Sequence, residues 1–190
     1  MVKEIQGALG LVQDGIPGPK TIVAVHQRLC AEKQQESPIV DERSERNIST
    51  LHPALRSIAR NFLELCAKQN LGVKIICGTR TFSEQAELFA KGRTIPGAKV
   101  TEAGPGQSMH NFGLAFDIGV FDGKEYIPES NRYVTAGAIG KSLGLDWGGD
   151  FKKPVDQPHF ELRPSWAKEI SNSQMLAELR RRMRVGTNVI

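Results

Sequence analysis

Apolar positions recur along this chain with two different periods. Val2, Ile5, Ala8 and Leu9 fall at helical spacing, Asp14-Gly15 and Pro17-Gly18-Pro19 interrupt them, and 21–29 resumes the pattern. Residues 2–30 are therefore expected to form two short helices around a turn. Residues 31–48 are polar and charged, contain Pro38, and read as a linker. Leu51, Leu55, Ile58, Phe62 and Leu65 then trace one face of a long amphipathic helix. Val73–Cys77 is a short β-prone run between Gly72 and Gly78, and Ser83 is placed to cap a helix reaching about Ala90. Residues 91–113, rich in Gly, Pro and Thr, read as an ordered loop. Over 114–121 the period becomes two, with Phe116, Ile118 and Val120 on one face and Ala115, Asp117 and Gly119 on the other. Helices are expected over 135–143 and 170–184, and a short strand over 159–162. Helices mixed with short, separated strands predict an α+β fold.

Composition adds limits. With 190 residues, 39% hydrophobic and 24% charged, the chain has the make-up of one globular domain with a small appendage. A net charge of +4 suits contact with an anionic polymer, either nucleic acid or cell wall, and decides between neither. Cys30, Cys66 and Cys77 form no CxxC pair. They read as reduced thiols, which argues against a disulfide framework and a cysteine-based structural zinc site. The start Met1-Val2-Lys3-Glu4 lacks the apolar core of a secretory signal, and no stretch approaches transmembrane length. Synthesis in a cytoplasm without a signal peptide is expected.

The chemistry concentrates in two stretches. In Ser108-Met109-His110-Asn111-Phe112-Gly113-Leu114-Ala115-Phe116-Asp117, a histidine on a glycine-rich loop precedes an aspartate on the small-residue face of a strand. In Asp156-Gln157-Pro158-His159-Phe160-Glu161, a second histidine opens a strand, with Glu161 on the same side. Two imidazoles and a carboxylate suit zinc, and three ligands leave a fourth position for water, as in catalytic sites. The plainer reading makes any two of the four histidines half-buried hydrogen-bonding residues, and spacing alone does not decide. His26 and His52 belong to that plainer class, having no carboxylate at a telling distance.

The pattern SxHxxGxAxD followed by DxxHxE resembles the zinc peptidases that group D-alanyl-D-alanine carboxypeptidases and dipeptidases with L-alanyl-D-glutamate endopeptidases. The resemblance extends to Gly78-Thr79-Arg80-Thr81 with Gln85, to Gly92-Arg93-Thr94 and Pro96-Gly97, and to Gly144-Leu145-Asp146-Trp147-Gly148-Gly149, covering roughly residues 48–165. The loop 92–97 and the ending 156–160 look most like the L-alanyl-D-glutamate endopeptidases common among phage endolysins. The resemblance implies a small antiparallel sheet flanked by helices, with a zinc site in a cleft. It implies about one Zn2+ per chain, held by His110, Asp117 and His159. Asp156 would be the general base, and Arg80 would stabilise the oxyanion or position the carbonyl. Ser108, Gln85 and Trp147 would contact substrate, and Glu161 would support a ligand.

Ile5-Gln6, Leu9-Gly10-Leu11 and Asp14-Gly15-Ile16-Pro17-Gly18-Pro19-Lys20-Thr21 are similar to a small peptidoglycan-binding domain, though shorter than a full copy. The expected organisation is a wall-binding-like segment over 1–30, a linker over 31–48 and a peptidase domain over 49–190. Arg180, Arg181, Arg182 and Arg184 form a basic helix end, read as a solvated complement to the helix dipole. The implied function is cleavage of the L-Ala–D-Glu bond of bacterial peptidoglycan by a monomeric endolysin of phage origin, acting on the wall after release and binding no nucleic acid. The alternatives are a D-Ala-D-Ala carboxypeptidase or dipeptidase, and a non-catalytic wall-binding protein.

Overall fold

The computed structural model describes residues 1–18, 21, 22, 24, 25 and 40–190. It divides into two compact units, Met1–Ile39 and Val40–Ile190. In the first, helix α1 (Val2–Ala8) carries Gln6, a buried amide around which the following turn is organised. Gln6 Nε2 donates to Asp14 Oδ1 at 2.7 Å and to the Ile16 carbonyl at 3.0 Å, while Oε1 accepts from the Gly15 N–H at 2.9 Å. Most of the helix expected over 21–29, together with His26 and Cys30, lies outside the described residues.

The second unit starts earlier than position 49. Asp41 caps α2 (Glu42–Thr50) by accepting from the Ser44 N–H, and Ile48 is fully buried. The linker expected to run to residue 48 is thus corrected. This helix looks like linker in sequence because only Ser44 and Ile48 are buried, and everything else on it is polar or charged. Its polar residues have a structural use. Ser44 Oγ accepts from the Ile75 N–H at 2.9 Å and Asn47 Nδ2 donates to the Ile75 carbonyl at 2.8 Å, covering an edge that would otherwise be unpaired.

Helix α3 (Pro53–Lys68) begins with proline at its first turn and His52 as N-cap, and buries Leu55, Ala59, Phe62, Leu63 and Cys66. Helix α4 (Phe82–Ala90) is capped by Thr81 rather than Ser83, because Thr81 and Glu84 form a reciprocal capping box. Strands β1 (Val73–Cys77), β2 (Ala115–Asp122), β3 (Glu125–Ile127), β4 (Asp146–Trp147) and β5 (His159–Glu161) form one sheet in the order β1-β2-β5-β4, with β3 also paired to β2. Every pairing is antiparallel. β3 and β4 were not foreseen, since three and two residues are too few to show a period.

The sheet separates two cores. Phe116, Ile118, Val120 and Phe160 pack with α3 and with α5 (Arg132–Ser142), where Phe62 lies 5.6 Å from the Phe116 ring and 4.9 Å from that of Phe160. α5 can approach this closely because a Cβ at Gly137 would strike the Trp147 ring and one at Gly140 the Phe160 ring. Ala115, by contrast, joins Met109, Phe112, Leu114, Ala167 and two residues of α6 (Asn172–Val185), Met175 and Leu179. No helix among the described residues is long and apolar enough to cross a membrane.

If α2 belongs to the core, Ile48→Ala should destabilise the protein by about 2–5 kcal/mol in urea unfolding. A solvated linker residue at this position would shift stability by less than about 0.5 kcal/mol.

Candidate metal centre

Strand register sets this site. In the antiparallel pairing of β2 with β5, Asp117 lies opposite His159 and Ala115 opposite Glu161. Directly opposed residues point to the same face, so both pairs lie on the side away from Phe116 and Phe160. His110 arrives from the 3-10 turn Met109–Phe112, which Ser108 caps by accepting from the His110 N–H at 3.3 Å. The small Ala115 leaves space beside Asp117, as its alternation with Phe116 anticipates.

Three ligand atoms converge. His110 Nε2 and His159 Nδ1 each lie 3.1 Å from Asp117 Oδ1, and 3.3 Å from one another. Tetrahedral zinc, with bonds of about 2.0–2.1 Å, spaces its ligand atoms about 3.3 Å apart. The remaining ring nitrogens have partners of their own. His110 Nδ1 meets the Gly78 carbonyl at 2.7 Å and His159 Nε2 meets Glu161 Oε2 at 2.9 Å. With protons on those outer nitrogens, each inner nitrogen presents a lone pair to the centre of the triangle. The residues therefore fit a divalent metal.

Cys77, opposite Asp117 on β1, makes a looser grouping with His110 and Asp117 within 4.8 Å. Burial, followed by the Asp117 charge, pushes its thiol up to about 11, so at neutral pH it is protonated and a poor ligand. The tighter spacing also favours His159. Burial would raise the Asp117 pKa, but the two histidines outweigh it and hold the carboxylate far below its usual range. Burial would lower that of His159, but hydrogen bonds to Asp117 and Glu161 prevail and raise it to about 10.

A cleft of about 230 Å³ opens at this centre, lined by Arg80, Ser108, His110, Asp156, His159 and Glu161 among others. Arg80 Nη2 lies 3.6 Å from Asp117 Oδ2, while both histidines meet Oδ1. Asp156 lies on the cleft wall, its N–H donating to the Gly148 carbonyl at 2.9 Å and its own carbonyl accepting from the His159 N–H at 3.1 Å. Burial, then the negative charge of Asp117, raises the Asp156 pKa.

Two residues expected at substrate are interior instead. Gln85 is completely buried, behind Arg80. Trp147 is 7% exposed, packs on Gly137, and donates from Nε1 to the Gln157 carbonyl at 2.8 Å, supporting the Asp156–His159 turn from beneath. A ring between glycines reads equally as pocket wall or core, and here the glycines make room for the ring itself.

Other contributors were not foreseen. Asn111 donates to the Arg80 carbonyl at 3.0 Å and accepts from the Gly106 N–H at 2.9 Å, tying the histidine turn to the arginine. Asn172, Met175 and Leu176 of α6 form part of the cleft wall. Their helical period announced a helix, with no sign of where it docks. The basic helix end is exposed at Arg180, Arg181 and Arg184, yet several of its guanidinium groups have partners. Arg180 donates to the Gly106 carbonyl at 2.8 Å, Arg181 and Arg182 share Glu178, and Arg182 stacks 4.2 Å from the Trp166 ring.

An antiparallel sheet presenting two histidines and an aspartate to a cleft, beside an arginine and a second carboxylate, defines a metal-dependent hydrolase. The sequence model of an M15 peptidase family described as D-alanyl-D-alanine carboxypeptidase matches residues 101–162. The chain is 39% identical over 127 residues to the peptidoglycan L-alanyl-D-glutamate endopeptidase CwlK of Bacillus subtilis, covering 62% of this chain and 76% of that protein. It is 30% identical over 125 residues to the L-alanyl-D-glutamate peptidase of Listeria phage A118, covering 63% of this chain but 41% of the phage protein. In structure it resembles the L-Ala D-Glu endopeptidase ChiX of Serratia marcescens, with a TM-score of 0.50, 25% identity, and coverage of 64% of this chain and 87% of the other. The chain belongs to the M15 peptidase family and is a metallopeptidase.

Because His159 must lose a proton to bind metal, affinity should rise with pH through the neutral range, by roughly tenfold per unit. Zinc titrations at pH 6 and pH 8 test this, and equal affinities would remove His159 from the ligand set. His110→Ala and His159→Ala should each purify with much less than one zinc per chain, as read by elemental analysis.

Proposed function

We propose that this protein is a zinc-dependent peptidoglycan endopeptidase that hydrolyses the L-alanyl–D-glutamate bond of stem peptides. The observation that carries the reading is the close triangle of His110, Asp117 and His159 at a cleft that also contains Arg80 and Asp156. The L-alanyl-D-glutamate endopeptidases among its relatives support this choice of bond.

Zinc held by His110, Asp117 and His159 would supply a Lewis acid to polarise the scissile carbonyl and to make water acidic near neutral pH. Asp156 takes the proton from the attacking water and later delivers it to the departing D-glutamate nitrogen. Its raised pKa makes it a stronger base toward the water and, by lying nearer the working pH, lets the protonated form persist long enough to hand the proton on. Arg80 directs N–H groups at the carbonyl oxygen as that oxygen gains charge. Glu161 holds the His159 ring in orientation.

The N-terminal unit is proposed to be an accessory wall-binding segment, and the phage relative supports a lysis role for the whole protein. The family description favours one competing reading, release of the terminal D-alanine. Digestion of purified peptidoglycan followed by mass spectrometry separates the two. New D-glutamate amino termini are expected, while free D-alanine in their place would make the protein a carboxypeptidase. Unaltered peptidoglycan would leave only wall binding.

Asp156→Asn should lower turnover by roughly two to four powers of ten while zinc content stays normal. Near-normal turnover in zinc-loaded Asp156→Asn would remove its role as base, and a larger loss in Glu161→Gln would move that role to Glu161. In the wild type, activity should fall on the acid side at a pH above the ordinary aspartate range, because protonation of a base with a raised pKa begins earlier as pH drops. A pH profile of kcat/KM on a soluble stem peptide measures this limb, and its loss in Asp156→Asn would assign it.

A further inference from the structure

Arg80 is held in an unusual way for a cation in a protein interior. Its Nε is buried and has no hydrogen-bond partner among the described residues. Its Nη2 is 3.6 Å from Asp117 Oδ2, beyond good hydrogen-bond length. The firm contact to its guanidinium is from Nη1 to Gln85 Oε1 at 3.1 Å. Gln85 lies in α4, is completely buried, and uses its other end to donate from Nε2 to the Ala103 carbonyl at 2.7 Å. The two partners leave one orientation for this amide, since arginine can only donate and a carbonyl can only accept.

We propose that Gln85 is the positioning residue of the cleft: it aims the Arg80 guanidinium while fastening the cleft-lining segment around Ala103 to the same point. The proposal rests on the role given to Arg80 under the proposed function. A neutral amide suits the task. A carboxylate at this position would form a paired, fork-like salt bridge and cancel the charge that the substrate oxygen is meant to meet. The amide orients the cation and leaves its charge available.

The backbone at Arg80 is secured independently of Gln85. Its carbonyl accepts from Asn111 at 3.0 Å and its N–H donates to the His110 carbonyl at 3.1 Å. Gln85 therefore governs the side chain more than the chain path. The wall it fastens is continuous with the cleft, since Thr101, Glu102, Ala103 and Gln107 all line it. Arg93 steadies the same segment from the other side, donating to the Thr101 carbonyl at 2.9 Å.

A double-mutant cycle on the zinc-loaded full chain, with a soluble stem peptide as substrate, tests this. Gln85→Met should lower kcat by roughly tenfold to a hundredfold, the scale of a misplaced catalytic group, with a smaller change in KM and unchanged zinc content. In an Arg80→Ala background, the same substitution should cost several-fold less, because the group it aims is gone and only the loosened Ala103 segment remains to be felt. Equal losses in both backgrounds would overturn the proposal and make Gln85 a support of the fold. Wild-type kcat in Gln85→Met would overturn it as well. Should Gln85→Met fail to fold, Gln85→Glu serves in its place: it keeps the acceptor, so zinc content should be normal while kcat drops through neutralisation of Arg80, and a wild-type rate would overturn the proposal. Wild-type turnover in Arg80→Ala would instead overturn the role of Arg80, and this proposal with it.

Discussion

The register of β2 against β5 is the constraint on which the site depends. Asp117 faces His159 and Ala115 faces Glu161, so two residues of each strand fall on one face. A slip of one residue would turn Asp117 into the aromatic core and bring Phe116 or Ile118 out. The core itself prevents that slip. Phe62, Phe116 and Phe160 form a contiguous ring cluster against α3, and burying three aromatic rings outweighs any alternative pairing that would expose them. The hydrophobic side of the sheet thus secures the geometry of the polar side.

Charge distribution follows the same economy. Asp156 and Glu161 line the cleft beside Asp117, and among the described residues that line it Arg80 is the one arginine or lysine. Burial, then repulsion by Asp117, raises the Asp156 pKa, whereas the adjacent imidazoles hold Asp117 ionised. The result is carboxylates of different character within one small space, one held ionised and one that takes up a proton more readily. Such a separation arises from the neighbours of each group, since both side chains are chemically alike.

The walls of the cleft come from distant parts of the chain. Arg93 stacks 3.9 Å from the Phe89 ring and fastens the loop after α4, while Arg180 reaches from the last helix to the Gly106 carbonyl. Gly106 in turn donates to Asn111, which holds the Arg80 backbone. A continuous path of hydrogen bonds therefore connects α6 to the arginine at the candidate metal centre. Of the arginines at this helix end, Arg180 reaches the Gly106 carbonyl, while Arg181 and Arg182 pair with Glu178 on their own helix and Arg181 stays exposed.

The residues that meet at the candidate centre were legible in the sequence. His110, Asp117 and His159 occur in short motifs, and strand alternation placed Asp117 on a face made of Ala115 and Gly119. The long helix of Leu55 and Phe62 and the central strand were likewise visible, because each is long enough to repeat its period. The α2 helix was not, since one buried isoleucine among polar residues shows no period, and its place depends on hydrogen bonds to a strand 28 and 31 residues further along. Gln85 and Trp147 carried motif positions that pointed to substrate, yet packing put both behind the surface. Periodicity and motif report on neighbours along the chain, and so they singled out His110, Asp117 and His159, which the fold brings together. Whether a given polar side chain opens to the cleft or stands behind it depends on what the folded chain lays over it, and that only the tertiary structure decided.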